Sequence, residues 1–180
     1  DNGIVEENVS QSGQDVTAIV AANMASRKSS VCLMAGYTGA QVIPVDIGIA
    51  CETIPSGKKI DDMDGILHKK ISHGTKNFLK EHAMTDKQCI KAIETGKEIV
   101  KMCSEKGINI IATGEMGIGN TTTSAALAAI LLDEKPENVT GYGAGLTNEG
   151  LKNKTETVRK ACEMYSGYKD DALKLLSCIG

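Results

Sequence analysis

The chain has 180 residues, 41% of them hydrophobic and 24% charged, with a formal net charge of -3. That length and apolar content are enough for one domain with its own buried core. One Phe, four Tyr and no Trp leave too few rings to stack single-stranded nucleic acid, the lysines and arginines are dispersed, and no apolar run nears the ~18 residues of a membrane span.

In chain order, Asp1-Asn2-Gly3 reads as the exit of a strand, and a helical pattern covers Asp15 to Ala25. A short apolar run, Val31 to Ala35, follows. Residues 42–50 alternate, with Ile43, Val45, Ile47 and Ile49 on one face and Pro44, Asp46 and Gly48 on the other, which predicts a strand. Pro44 suits an edge or the start of that strand, because it has no N–H for the ladder. Asp46 reads equally as a cap for a nearby loop or as a ligand group. Residues 52–83 are polar and punctuated by glycines, a long excursion of the kind that is functional or mobile.

Thr85 opens a helix with a capping box to Gln88. The stripe Cys89, Ile93, Gly96, Val100, Cys103 gives that helix one apolar face, and Gly107 stops it. Ile108 to Ala112 predicts a buried strand, and Ser124 to Leu132 a buried helix. Between them stands Thr113-Gly114-Glu115-Met116-Gly117-Ile118-Gly119-Asn120-Thr121-Thr122-Thr123. A second glycine cluster, Gly141 to Leu146, precedes a helix capped by Thr147 or Asn148, with Leu151, Thr155, Val158, Cys162 and Tyr165 along one side. Helices alternating with buried strands predict a layered, Rossmann-like α/β fold, one domain over residues 1–180 with a largely parallel sheet flanked by helices.

Six cysteines are scattered without a C-x-x-C pair, and a disulfide framework is not expected in a chain with this much core, so a reducing, cytoplasmic setting is. His68, His73 and His82 lack metal-ligand spacing and read as surface or loop residues; no metal or cofactor is expected.

The glycine turns carry the chemistry. Glycine lets the backbone turn tightly, and the first N–H groups of a helix lack intrahelical partners, so such a turn can cradle a phosphate or carboxylate. The spacing is neither a P-loop nor a usual dinucleotide fingerprint. Taken alone, a well-capped turn is as good a reading as an anion site; Glu115 favours function, since a carboxylate beside an anion cradle needs a task. Thr121 and Thr122 suit capping and phosphate contact equally. In a parallel sheet both turns gather at the carboxyl ends of strands, where ligands bind. Lys154 gains nothing from the dipole of its helix, and an anion at the neighbouring turn would give it a use.

At these residues the sequence resembles the nicotinate-nucleotide–dimethylbenzimidazole phosphoribosyltransferase family of cobalamin biosynthesis. Gly114 to Thr122 is similar to its most characteristic motif. Matches continue at Asp1-Asn2-Gly3, Val45 to Ala50, Gly74-Thr75-Lys76-Asn77 with Ala83-Met84-Thr85, and Gly143-Ala144-Gly145-Leu146 with Glu149-Gly150-Leu151 and Lys154. The resemblance implies transfer of phosphoribosyl from nicotinate mononucleotide to an aromatic base, 5,6-dimethylbenzimidazole or a relative, by a cytoplasmic homodimer without metal or cofactor. It implies that Gly117, Gly119, Asn120, Thr121, Thr122 and Lys154 bind the phosphate, that Gly143 and Gly145 let the second turn close on it, that Ser10 lies near the base, and that Glu115 plays a supporting catalytic part. Asn2 stands where many members have His, Ala18 or Ile19 where Gln is frequent, and Tyr142 where Arg is common. These departures bear on which base is accepted. The family's general base, a glutamate in its C-terminal portion, is not matched here. The chain is therefore expected to be the central part of a longer enzyme, weak or inactive alone. The competing readings are a non-catalytic nucleotide-binding module that keeps the cradle, and a Rossmann oxidoreductase. The latter is disfavoured because Asp133 and Glu134 come too early to bind a ribose.

Overall fold

The computed structural model describes residues 1–52 and 65–180, which fall into two compact units. It is helix-rich with a small parallel sheet. Among the described residues, no helix is long and apolar enough to cross a membrane.

One unit comprises Asp1 and residues 14–74. Helices α1 (Asp15–Ala25) and α2 (Ser30–Thr38) precede strands β1 (Val45–Asp46) and β2 (Leu67–His68). The helical pattern at 15–25 is α1, and the run at 31–35 lies within α2, capped by Ser29. The strands pair in parallel, Val45 opposite Leu67 and Asp46 opposite His68. Pro44 stands just before β1, where its carbonyl accepts from Leu67 N at 2.9 Å and its missing N–H costs nothing. Ala21, Ile49 and Ile66 form the small core.

The alternation at 42–50 is only partly realised. Its strand is two residues long, and Ile47 is exposed while Asp46 is wholly buried. A carboxylate displaces an isoleucine from the interior because the turn after β1 needs an acceptor. Asp46 Oδ1 takes the Ile49 N–H at 2.9 Å, and Lys70 lies 3.4 Å from its other oxygen. Asp1 accepts from Ala50 N at 2.8 Å and from the Thr17 hydroxyl, so two carboxylates hold one turn. Asp46 thus acts as a cap. The excursion at 52–83 includes residues outside the described ones.

The other unit comprises residues 2–13 and 75–180. After a 3-10 turn at Gly3–Glu7 come helices α3 (Asp86–Glu105), α4 (Asn120–Leu132), α5 (Pro136–Val139), α6 (Asn148–Tyr165) and α7 (Ala172–Ile179). Ala125, Ala126 and Ala129 of α4 are buried in one cluster with Val158 and Ala161 of α6. Alanine carries no bulk beyond Cβ, so these helices can approach closely. Ile4, Phe78, Leu175 and Ile179 complete the cluster, and the Tyr165 hydroxyl, buried among them, donates to the Phe78 carbonyl at 2.6 Å.

The capping box at Thr85 forms as expected, with its side chain accepting from Gln88 N at 3.2 Å. The stripe on α3 is corrected. Cys89, Thr95 and Cys103 are buried, whereas Ile93 and Val100 are exposed; α3 packs on α7, where the Cys89 thiol faces the Leu173 carbonyl at 4.0 Å, and that contact leaves Ile93 and Val100 uncovered. The strand expected at 108–112 does not form, and Ile110 is 90% exposed. A strand needs a neighbour for its ladder, and no strand pairs with this run among the described residues. All six cysteines are free thiols, and His68, His73 and His82 are exposed.

Candidate functional site

The expected helix at 124–132 begins earlier, at Asn120, with Gly119 as its N-cap at φ +95°. Glycine adopts this left-handed conformation without the Cβ penalty of other residues. Space also selects it, since a Cβ there would come within 2.9 Å of Asn2 Cβ and 3.0 Å of Val5 Cγ1. Gly117 O accepts from Asn120 N at 3.1 Å, and Gly119 O accepts from Thr122 N at 3.0 Å, which closes the first turn. No side chain caps this helix.

Thr121 has another task. Lys154 Nζ donates to Thr121 Oγ1 at 2.7 Å and to the Gly141 carbonyl at 3.0 Å. The lysine thus draws both glycine turns to one ammonium, although they are remote in sequence. Gly143, at φ +62°, belongs to the same cluster: a Cβ there would lie 3.2 Å from Thr121 Oγ1 and 3.4 Å from Lys154 Nζ. Gly145, at φ +81°, donates its N–H to Gly143 O at 3.2 Å and faces Gln11, whose Oε1 is 3.9 Å from the position of a Cβ.

The electrostatics of this cluster are unusual. Lys154 is 1% exposed, yet no carboxylate pairs with it among the described residues. Its acceptors are both neutral. An ammonium has three donors, of which these partners use two. Burying a charge without a counter-charge is unfavourable, and burial accordingly pulls the Lys154 pKa below the ordinary lysine range. Thr121, Gly141 and Gly143 are themselves exposed, so the charge lies one residue below the surface. An anion at this point would supply what the cluster lacks.

The sign of the pH effect follows. Between the lowered folded pKa and about 10.4, the folded chain has shed a proton that the unfolded chain retains. Stability therefore rises with pH through that window, whereas affinity for an anion that needs the ammonium falls. Urea midpoints and anion titrations across the alkaline range, compared between the wild type and Lys154→Met, should diverge in those opposite senses. Parallel curves for the two proteins would show that Lys154 is not the titrating group.

The remaining expected residues fall as follows. Glu115 is exposed, and its carboxylate accepts from Asn120 Nδ2, so it sits at the mouth of the turn. Thr122 is 1% exposed, and its hydroxyl has no hydrogen-bond partner among the described residues. Ser10 closes a local turn with Ser12, at 3.2 Å in both directions. Nothing brings it into contact with Lys154. Three residues that the sequence did not assign to the phosphate cradle also support the cluster. Asn153 donates to Glu7 O at 2.7 Å and ties the 7–8 turn to α6. Asn2 and Thr123, joined at 3.0 Å, brace the first turn of α4. Asn2 stands out only as a departure from the family pattern and Thr123 only as the end of the threonine run; no spacing in the sequence joins them.

The family model DBI_PRT, described as phosphoribosyltransferase, matches residues 1–180. The chain is similar to the nicotinate-nucleotide–dimethylbenzimidazole phosphoribosyltransferase of Acetivibrio thermocellus, 42% identical over 182 residues, covering 100% of this chain and 49% of that protein. The protein of the same name from Clostridium acetobutylicum is 39% identical over 180 residues, with the same shares covered. The crystal structure of CobT from Thermus thermophilus superposes with a TM-score of 0.89 at 32% identity, covering 100% of this chain and 52% of that one. The chain thus spans about half the length of the curated relatives it matches.

Proposed function

The chain belongs to the phosphoribosyltransferase family, and from that premise we propose that it holds the phosphoribosyl donor in the reaction its relatives are named for. In that reaction, phosphoribosyl passes from nicotinate mononucleotide to 5,6-dimethylbenzimidazole or a related base. The C–N bond to nicotinate breaks, a C–N bond to the base forms at the same anomeric carbon, and the base loses its N–H proton.

The observation that carries this reading is the buried ammonium of Lys154 between two glycine turns, with no carboxylate beside it among the described residues. The 5′-phosphate takes its third N–H, together with backbone N–H groups from Gly117 to Thr122 and the turn at Gly143–Gly145. Glu115, at the mouth of the same turn, opposes the positive charge that develops on the sugar as the old bond breaks. Ser10 lies toward the base. The acceptor of the azole proton is, in this reading, a group outside the cluster. A layered, largely parallel sheet of the kind expected from the sequence belongs to this reading.

Calorimetric titration with nicotinate mononucleotide, set beside nicotinate riboside, tests the reading. The mononucleotide should bind at least about tenfold more tightly, since a charge-assisted contact contributes roughly 1.5–3 kcal/mol. Equal affinities, or no binding by a folded chain, would remove the phosphate from Lys154.

A further inference from the structure

Asparagine immediately before a helical turn ordinarily turns its side chain onto that turn as a cap. Asn2 does not. It precedes the 3-10 turn at Gly3–Glu7 without capping it, and its Oδ1 accepts instead from Thr123 Oγ1 at 3.0 Å, a residue far along the chain. Its backbone N–H donates to the Ile118 carbonyl at 3.0 Å. Its Cβ is the nearest atom to the open side of Gly119. Both Asn2 and Thr123 are buried. The neighbouring Gly3 is wedged just as firmly on its other side, since a Cβ there would lie 2.5 Å from the Lys76 backbone.

We propose that Asn2 is a positioning residue for the phosphate turn, holding Gly119, Asn120 and Thr121 in place through Ile118 on one flank and Thr123 on the other. The assignment rests on reading that turn as the phosphate site. Lys154 fixes Thr121 from the α6 side, but an ammonium on a flexible stem leaves the turn free to rotate about that single contact. Asn2 supplies a second and third point of attachment. The two bonds bracket Gly119, whose positive φ makes it the place where the chain would otherwise swing. The aim of the first N–H groups of α4 is then set by a residue buried behind the turn.

The test removes one bond at nearly constant volume. Thr123→Val deletes the donor and Thr123→Ser keeps it, while Asn2→Ser withdraws the acceptor from the other side. Two quantities are read for each: affinity for nicotinate mononucleotide by calorimetry, and amide hydrogen exchange at Gly119, Asn120 and Thr121 relative to Ala125–Ile130 of the same helix. In Thr123→Val and Asn2→Ser, affinity should fall and exchange at the three amides should accelerate, each about tenfold, the scale of one buried hydrogen bond. Thr123→Ser should stay within about threefold of wild type on both. Wild-type exchange at those amides, or acceleration spread evenly along α4, overturns the proposal, because loss of general stability moves the whole helix together. If wild type shows no preference for the mononucleotide over its riboside, the phosphate reading fails separately, and the exchange pattern alone decides whether Asn2 holds the turn.

Discussion

Replacing Lys154 by methionine is expected to abolish phosphate-dependent binding while leaving the free chain at least as stable as before. The two effects separate because, among the described residues, the acceptors of the buried ammonium are neutral. Without ligand, its charge opposes folding, and a thioether of similar length fills the same space without desolvating a cation. Thr121 and Gly141 are exposed and can turn to water when the lysine leaves. With ligand, the missing charge-assisted contact should cost about 2–3 kcal/mol, a loss of roughly 30- to 150-fold in affinity. Urea denaturation and calorimetry on the same preparations check both halves. A variant that loses stability and keeps its affinity would mean that Lys154 braces the two turns and does not bind phosphate.

Gly119→Ala should be the most damaging single methyl group that can be added to the site. At φ +95° an L-residue is strained by roughly 1–2 kcal/mol, and the new Cβ would lie 2.9 Å from Asn2 Cβ and 3.0 Å from Val5 Cγ1. Together these should cost about 3 kcal/mol in urea unfolding and weaken mononucleotide binding as the turn shifts. Gly96→Ala is the control of opposite sign. That position is helical, with nothing within 4 Å of the added carbon, and alanine there should stabilise by about 1 kcal/mol. Destabilisation by both changes would point to a general intolerance of new methyl groups.

Local chemistry was legible in the sequence wherever it was self-contained. The capping box at Thr85 needs only Thr85 and Gln88, and the start of α6 needs only Thr147 and Gly150; both formed. The two glycine turns were visible for the same reason, since a positive φ at Gly119, Gly143 and Gly145 follows from residue type and position. Partnership was not legible. The alternation at 42–50 pointed to an isoleucine face, yet the turn after β1 needed Asp46 as an acceptor and drew it inside. The apolar run at 108–112 carries the composition of a strand, but a strand depends on what lies beside it. Lys154 was marked by its place beside the second glycine turn, but its burial and its bonds to Thr121 and Gly141 depend on packing, and no pattern in the sequence joins residue 2 to residue 123.

The tie of one ammonium to both turns bears on how this protein can diverge. A substitution that let the 141–145 segment drift by about an ångström would carry the Gly141 carbonyl out of reach and leave Lys154 with one acceptor, an altered Thr121 and a costlier buried charge. Two stretches of chain separated by a whole helix therefore form one unit of inheritance. A change in either stretch is expected to need a matching change in the other if the contacts of Lys154 are to survive.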